Sequence, residues 1–130
     1  MEILVDTSVW VSHFRNDKTP AVMRLHQFIE QDETILLGDL VLAELLQGIH
    51  SKTELMTVEA AFGFLQIMPL VGVTIARQSA LYYRQLRRQG ITVRKTIDCL
   101  IATWCIHNEV CLLHNDHDFQ PFVRFGLIEA

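Results

Sequence analysis

Short apolar runs alternate along the chain with amphipathic segments, and the two patterns predict different elements. Five runs are short and almost wholly apolar, as expected of strands whose two faces are both buried. They cover residues 3–5, 34–37, part of 67–73, 110–113 and, more weakly, 126–128. Pro69 limits the third run to a loop and a short strand, because proline cannot lie inside a helix.

The longer segments between these runs have the apolar spacing of helices. They extend from residue 7 or 8 to 14, from about 20 to 29, from 40 to 49, from 51 to 65, from 74 to 90 and from 96 to about 109. Side chains that accept hydrogen bonds from free backbone N–H groups mark most of the starts. The predicted N-caps are Thr7 or Ser8, Asp39, Ser51 (in the capping box Ser51-x-x-Glu54), Thr74 and Thr96.

This alternation of strands and helices predicts the fold class. Apolar strands separated by helices are typical of a parallel sheet covered on both faces. No repeat, linker or low-complexity segment divides the 130 residues. We therefore expect one α/β domain over residues 1–130, with a central parallel sheet of about four to five strands flanked by α-helices on both faces.

Composition narrows the function classes. Half of the residues are apolar and a fifth are charged, which argues against disorder. Fifteen acids against eleven bases give a net charge of −4, which excludes a protein held on nucleic acid by bulk charge alone, although a local basic patch is compatible with it. Three cysteines fit no zinc pattern, and there is no signal peptide or membrane-spanning run, so we predict a cytoplasmic protein.

Four acidic residues occupy positions where a purely structural role is hard to supply. Asp6 ends the first strand, and Asp116 follows the 110–113 strand across a short polar turn. Glu44 and Asp98 lie in helical segments that are otherwise mostly apolar. In open α/β sheets the functional site lies beyond the carboxyl ends of the strands, where Asp6 and Asp116 would emerge.

Each acid also has a structural alternative. Asp6 could cap the helix that follows it, Asp98 could complement a helix dipole, and Asp116 could be a turn residue. Glu44 has no Lys or Arg three or four residues away to pair with it. Four such acids at separate elements nevertheless favour one cluster. Clustered carboxylates bind hard cations such as Mg²⁺ or Mn²⁺, and a cation held in this way activates water for phosphate-ester hydrolysis.

The sequence around these acids resembles the PIN-domain ribonucleases, and in particular the VapC-type toxins of bacterial toxin–antitoxin pairs. The resemblance covers the whole chain in order, and four motifs together make it specific. They are Asp6-Thr7-Ser8-Val9-Trp10, Leu42-Ala43-Glu44-Leu45-Leu46-Gln47-Gly48, Thr96-Ile97-Asp98-Cys99-Leu100-Ile101-Ala102 and Leu113-His114-Asn115-Asp116-His117-Asp118-Phe119.

That resemblance implies a single PIN domain and a Mg²⁺- or Mn²⁺-dependent endoribonuclease that cuts structured RNA, typically transfer or ribosomal RNA. It makes Asp6, Glu44, Asp98 and Asp116 the catalytic acids. Asp6, Asp98 and Asp116 are the expected metal ligands, with Glu44 as a further candidate. It also implies that Ser8 hydrogen-bonds within the site, and that the protein forms a homodimer and a hetero-oligomer with a VapB-type antitoxin.

The last motif leaves two points open. Asp116 and Asp118 lie two residues apart, so either could face the metal; we favour Asp116 because it is nearer to the strand end. Asp118 would then be an outer ligand or the cap of a short final helix. His114 and His117 could contact RNA, or they could be ordinary solvated turn residues.

A basic stretch precedes the third motif. No acid occurs between Ala60 and Ile97, whereas six of the eleven bases lie there. Arg84 and Arg88 share one helix face with neighbouring tyrosines, and Arg94 and Lys95 immediately precede the helix that carries Asp98. These four are our candidates for RNA binding, although a solvated helix face would account for the first two.

Two other function classes compete with a ribonuclease. A receiver-like domain also gathers acids around Mg²⁺, but it needs a lysine where this chain has His114-Asn115-Asp116, and it has no use for Glu44. A catalytically inert PIN-like module that binds RNA or protein is the main alternative, and its degenerate members usually lose the acids. Without the four proposed acids the chain has eleven acids and eleven bases, so its net negative charge belongs to the predicted site.

Overall fold

The computed structural model describes residues 1–130 and contains four strands. They are β1 (Glu2–Val5), β2 (Thr34–Gly38), β3 (Gln66–Met68) and β4 (Cys111–Leu113). All three pairings are parallel, and the strand order is β3-β2-β1-β4. The first strand of the chain therefore lies at the centre, paired on one side with β2 and on the other with β4, the last strand.

Helices cover both faces of this sheet. They are α1 (Thr7–Phe14), α2 (Pro20–Glu30), α3 (Asp39–Gln47), α4 (Lys52–Phe62), α5 (Val73–Arg88) and α6 (Thr96–Asn108), followed by a 3-10 helix (His117–Phe125). Ile3 and Leu4 are both fully buried. Because successive strand residues point to opposite faces, both faces of β1 are covered. The predicted fold class is thus confirmed.

One hydrophobic core of 29 buried residues connects the layers. Within it α1 packs on α2 and α3, while α5 packs on α6. None of the helices is both long enough and apolar enough to cross a membrane.

Several helix starts differ from the predictions, because neighbouring residues take the capping position. Asp6, not Thr7 or Ser8, caps α1, and Gly72 precedes α5 two residues before Thr74. Lys95 stands at the N-cap of α6, so Thr96 is its first residue. Ser51 caps α4 through its side chain, as predicted, and Thr19, for which no cap was predicted, does the same for α2.

The start of α3 shows why a local rule can fail. Asp39 is the first residue of the helix, and Gly38 is its N-cap. The Asp39 carboxylate instead accepts a hydrogen bond from the backbone N–H of Leu70, 31 residues away. A Cβ at Gly38 would clash with the fully buried side chain of Leu70, so a larger residue where β2 meets this loop would force that side chain to move.

The prediction of a fifth strand in the C-terminal segment is wrong. Residues 126–128 form no strand; the 3-10 helix ends at Gly126, whose φ of 103° is readily adopted only by glycine. The chain then returns to β4 through a single parallel bridge between Glu129 and Leu112. The apolar run 126–128 was too short and too close to a glycine to extend this pairing into a ladder.

Candidate active site

The carboxyl ends of β1 and β4 bring the first and last acidic motifs together. The backbone N–H of Asp6 donates to the carbonyl of Leu113 at 2.9 Å, which continues the pairing one step beyond β1. The chain after Leu113 then turns across the top of the sheet toward Asp116. Sequence motifs more than 100 residues apart therefore meet at one edge.

Asp6 is buried and well supplied with hydrogen bonds. It is 4% exposed, and its Oδ2 accepts from the Ser8 backbone N–H at 3.1 Å and from Ser8 Oγ at 2.7 Å. Burial raises the pKa of the Asp6 carboxyl, and the hydrogen bonds from Ser8 oppose that rise. Asp6 thus caps α1, which was its structural alternative, while still lying at the predicted site.

Ser8 connects Asp6 to the loop that carries Asp116. While its hydroxyl donates to Asp6, its Oγ accepts from the backbone N–H of Asn115 at 3.2 Å. Asp116 in turn caps the 3-10 helix, since its Oδ1 accepts from the Asp118 N–H at 2.9 Å. This cap fixes the spacing of the two aspartates.

Asp98 is buried and has no such support. It is 5% exposed in the first turn of α6, and its Oδ2 has no hydrogen-bond partner. The pKa of Asp98 is raised to about 7, chiefly by burial and in addition by the charges of Asp6, Asp116 and Glu44, while Lys95 opposes the rise. The other three predicted acids therefore all lie close enough to Asp98 to act on its charge.

Three carboxylates form the tightest group. One oxygen each from Asp98, Asp116 and Asp118 lies within 4.8 Å of the others. Oxygen ligands at this separation suit a hard divalent cation, and the unpartnered Asp98 Oδ2 supplies a buried acceptor that such an ion would satisfy. Asp116 and Asp118 both reach the group, whereas Asp6 lies beside it with its Oδ2 engaged by Ser8.

Glu44 is attached to the site through a residue that sequence reasoning missed. Thr7 Oγ1 donates to Glu44 Oε1 at 2.8 Å, joining α1 to α3. Glu44 also lines a cavity of about 230 Å³, together with Val11, Phe14 and Leu45 among others. The signal for Thr7 was its place beside Asp6, but its partner lies 37 residues away and could not be read from the sequence.

The basic candidates divide into two groups. Arg94 Nε lies 4.0 Å from Asp118 Oδ1, although its side chain is 79% exposed. Lys95 is near enough to lower the pKa of Asp98. Both therefore lie at the site.

The other two basic candidates lie on α5. Arg84 lines a groove of about 610 Å³ between α5 and α6, which reaches Thr96, two residues before Asp98. Arg87 and Tyr83, not chosen from the sequence, line the same groove, and the Arg87 guanidinium lies 5.9 Å from the Tyr83 ring centre. Arg88 is exposed and lies outside the lining of this groove.

The two histidines of the last motif differ. His117 is exposed, as expected of a turn residue. The His114 side chain is only 10% exposed and contacts both Asp116 and Glu129, so it is not a solvated turn residue.

Known proteins resemble this chain over nearly its whole length. The PIN domain family profile matches residues 3–123. VapC ribonuclease Mb1587 of Mycobacterium bovis is 30% identical over 129 residues, covering 98% of this chain and 96% of its own, and ribonuclease VapC19 of Mycobacterium tuberculosis is 35% identical over 112 residues, 85% of each.

Solved structures show the same fold. VapBC2 from Rickettsia felis, bound to a DNA fragment from its promoter, matches with a TM-score of 0.78 at 21% identity, covering 100% of this chain and 98% of that one. These findings confirm the resemblance drawn from the four acidic motifs: the chain belongs to the PIN domain family.

Proposed function

We propose that this protein is an endoribonuclease toxin of the VapC type, which hydrolyses phosphodiester bonds in structured RNA with Mg²⁺ or Mn²⁺. The curated relatives are VapC ribonucleases. The observation that carries the proposal is Asp98, a buried carboxylate whose Oδ2 lacks a partner although Asp116 and Asp118 lie within 4.8 Å. A catalytically inert module would have no reason to keep this arrangement, because a buried unpaired carboxylate costs free energy of folding.

Asp98, Asp116 and Asp118 are the residues that would hold the cation, with Asp6 and Glu44 beside them. When bound, a divalent cation lowers the pKa of a water molecule and stabilises charge on a phosphoryl oxygen. Ser8 keeps the Asp6 carboxylate directed at this edge of the sheet, and Thr7 does the same for Glu44. The chain thus holds these acidic side chains in fixed positions, beside which a phosphodiester can be oriented.

The RNA would approach from the basic side of the site. Arg94 and Lys95 border the acidic cluster, and the groove lined by Arg84 leads away from Thr96. Phosphates can pair with these side chains, while Tyr83 offers a ring on which an unpaired base can stack. Transfer or ribosomal RNA, with exposed loops, fits this combination; Arg88 lies farther along α5 and would contact only a longer substrate.

A VapB-type antitoxin and a second copy of the chain are the proposed partners. The structure from Rickettsia felis is a VapBC assembly, which supports an antitoxin partner for this chain as well. Co-expression with the product of a short reading frame adjacent to this gene should relieve growth arrest. Light scattering after size exclusion should give twice the 15.0 kDa chain mass for the isolated toxin.

The catalytic proposal is tested with Asp98→Asn. Wild type and variant are incubated with total RNA and Mg²⁺, with and without EDTA, and new 5′ ends are mapped. We expect discrete cuts by the wild type only, abolished by EDTA. Asp17→Asn, an exposed aspartate in the α1–α2 loop, is the matched control and should cut normally. Equal cleavage by wild type and Asp98→Asn would refute this site, and no cleavage by either would favour the inert module.

A further inference from the structure

His114 is held from both sides where the chain leaves β4. Its Nδ1 lies 3.2 Å from the backbone nitrogen of Asp116, and its Nε2 lies 2.8 Å from Glu129 Oε2. The ring also lies against Phe119, with 4.9 Å between ring centres. These three contacts, with a side chain that is only 10% exposed, leave the imidazole little freedom.

These contacts determine which nitrogen of the His114 ring carries the hydrogen. A backbone N–H can only donate, so His114 Nδ1 must accept from Asp116. The proton of the neutral ring therefore resides on Nε2, which donates to the Glu129 carboxylate. A carboxylate that accepts from one ring nitrogen fixes the tautomer and orientation of a histidine, so that the other nitrogen is always available.

Glu129 is itself fixed by the backbone. The residues on either side of it pair with Leu112 in β4: Leu112 N–H donates to Ile128 at 2.8 Å, and Ala130 N–H donates to Leu112 at 2.9 Å. The contact from Glu129 through His114 to Asp116 is therefore anchored to the sheet at one end and reaches the acidic cluster at the other.

We propose that His114 is a positioning residue, which holds the 114–116 loop so that the Asp116 carboxylate faces Asp98 before a cation is bound. This role rests on the proposed function, because it concerns the same metal-binding acids. The negative charges of Asp98 and Asp116 oppose each other, so without a cation the hydrogen bonds of the loop must keep the Asp116 carboxylate in place. The Asp118 N–H donates to the carboxylate of Asp116, and the backbone of the loop is held by two further hydrogen bonds: Asn115 N–H donates to Ser8 Oγ, and Asp116 N–H donates to the His114 ring, which Glu129 fixes from its other side.

Mn²⁺ binding separates this role from simple packing. Free Mn²⁺ is measured by electron paramagnetic resonance during titration of the full chain, and circular dichroism checks the fold. His114→Phe keeps a ring against Phe119 but loses both nitrogen contacts, and should weaken Mn²⁺ affinity about 10-fold or more. His114→Asn offers an Oδ1 that can accept from the Asp116 N–H, and should recover most of the affinity. His107→Ala, which changes an exposed histidine in the last turn of α6, should bind Mn²⁺ as wild type does.

The contact between His114 Nε2 and Glu129 allows a second, independent test of this role. Glu129→Ala removes the partner of Nε2 at a position where the side chain is 36% exposed, so the fold should tolerate it. We expect a smaller loss of Mn²⁺ affinity than in His114→Phe, and near-normal binding in Glu129→Gln, whose amide oxygen still accepts.

The outcomes distinguish the two proposals. If the wild type binds Mn²⁺ and folded His114→Phe and Glu129→Ala bind it equally well, the role of His114 is overturned while the ribonuclease proposal stands. Should His114→Phe fail to fold, unchanged Mn²⁺ affinity in Glu129→Ala decides against the role. If the wild type binds no Mn²⁺ and cuts no RNA, the proposed function fails, and the role of His114 with it.

Discussion

Asp6 and Asp98 are equally buried but are supported in opposite ways. They are 4% and 5% exposed, and each lies at the start of a helix. Asp6 receives two hydrogen bonds from Ser8, whereas Asp98 Oδ2 receives none. At the junction of β1 and α1 the chain therefore supplies the hydrogen-bond donors for Asp6 itself. At the start of α6 it supplies none for Asp98 Oδ2, so that oxygen can be satisfied only by a group from outside the chain.

Both aspartates lie at the candidate site, and they differ in how many hydrogen bonds the chain itself supplies to each carboxylate. A buried carboxylate with hydrogen bonds contributes to the fold, here as the N-cap of α1. A buried carboxylate without them lowers stability until a cation or a proton neutralises it. The sequence does not show which of the two aspartates receives hydrogen bonds; only their surroundings in the fold do.

The largest expected effect is the loss of RNA cleavage when one of the clustered aspartates is replaced. Asp98→Asn should lower the rate by more than the 10–100-fold typical of residues that only orient metal ligands. Asp116→Asn should be nearly as damaging, and Asp118→Asn less so, because Asp118 also pairs with the exposed Arg94. Initial rates on one mapped RNA cut give this order; a more active Asp116→Asn than Asp118→Asn would reverse our preference for Asp116.

The next largest expected effect is the gain in stability of the folded chain when a divalent cation is added. Because Mn²⁺ would bind only the folded chain, a concentration 100 times its Kd should stabilise the wild type by about 2.7 kcal/mol. The gain appears as a higher Tm in differential scanning calorimetry and should be nearly absent in Asp98→Asn. The control Asp17→Asn should keep the full gain, and a gain that survives in Asp98→Asn would place the cation elsewhere.

The pH dependence of stability should differ between wild type and Asp98→Asn when no divalent cation is present. Burial and, to a smaller extent, the neighbouring carboxylates raise the pKa of Asp98 from 3.8 to about 7, so the folded state holds its proton more tightly than the unfolded state. The free energy of unfolding contributed by this residue must then fall as pH rises between about 4 and 7. In urea titrations at pH 4.5, 6 and 8, the free energy of unfolding of Asp98→Asn should increase relative to that of the wild type as the pH rises. A difference that stays constant over this range would contradict the raised pKa.

The smallest expected effect tests the β1–α1 side. Ser8→Ala removes the hydroxyl contact to Asp6 and the acceptor for Asn115, and should cost about 1–2 kcal/mol of unfolding free energy with or without Mn²⁺. Ser12→Ala, half-buried on the same helix, is the matched control and should cost less. If Ser8→Ala destabilised only the Mn²⁺-bound protein, Ser8 would act on the cation site and not on the fold.

The sequence predicted best what depends on local pattern. Apolar runs located β1 and β2, and the isolation of Glu44 and Asp98 among apolar residues marked them as site candidates. The predicted caps of α5 and α6 were wrong because these helices begin at Val73 and Thr96, after Gly72 and Lys95, and neither start uses a side-chain cap.

The missed contacts share one physical cause, which is distance along the chain. Thr7 and Glu44 are 37 residues apart, and His114 and Glu129 are 15 apart. No periodicity relates such residues, since they meet only after the sheet has ordered its strands. The resemblance of motifs could place the four acids in sequence, but it could not show which of them would find hydrogen-bond partners.

The pairing of the first strand with the last has a consequence for biosynthesis. A ribosome that has released β1 through α5 has already made Asp6 and Glu44, yet the edge beside β1 is still open because β4 has not been made. Asp116 and Asp118 arrive only after Leu113 can pair with Val5. A nascent chain therefore lacks two of the three clustered aspartates until the final strand has been made, and on the proposed function we expect any fragment that ends before that strand to be unable to cut RNA.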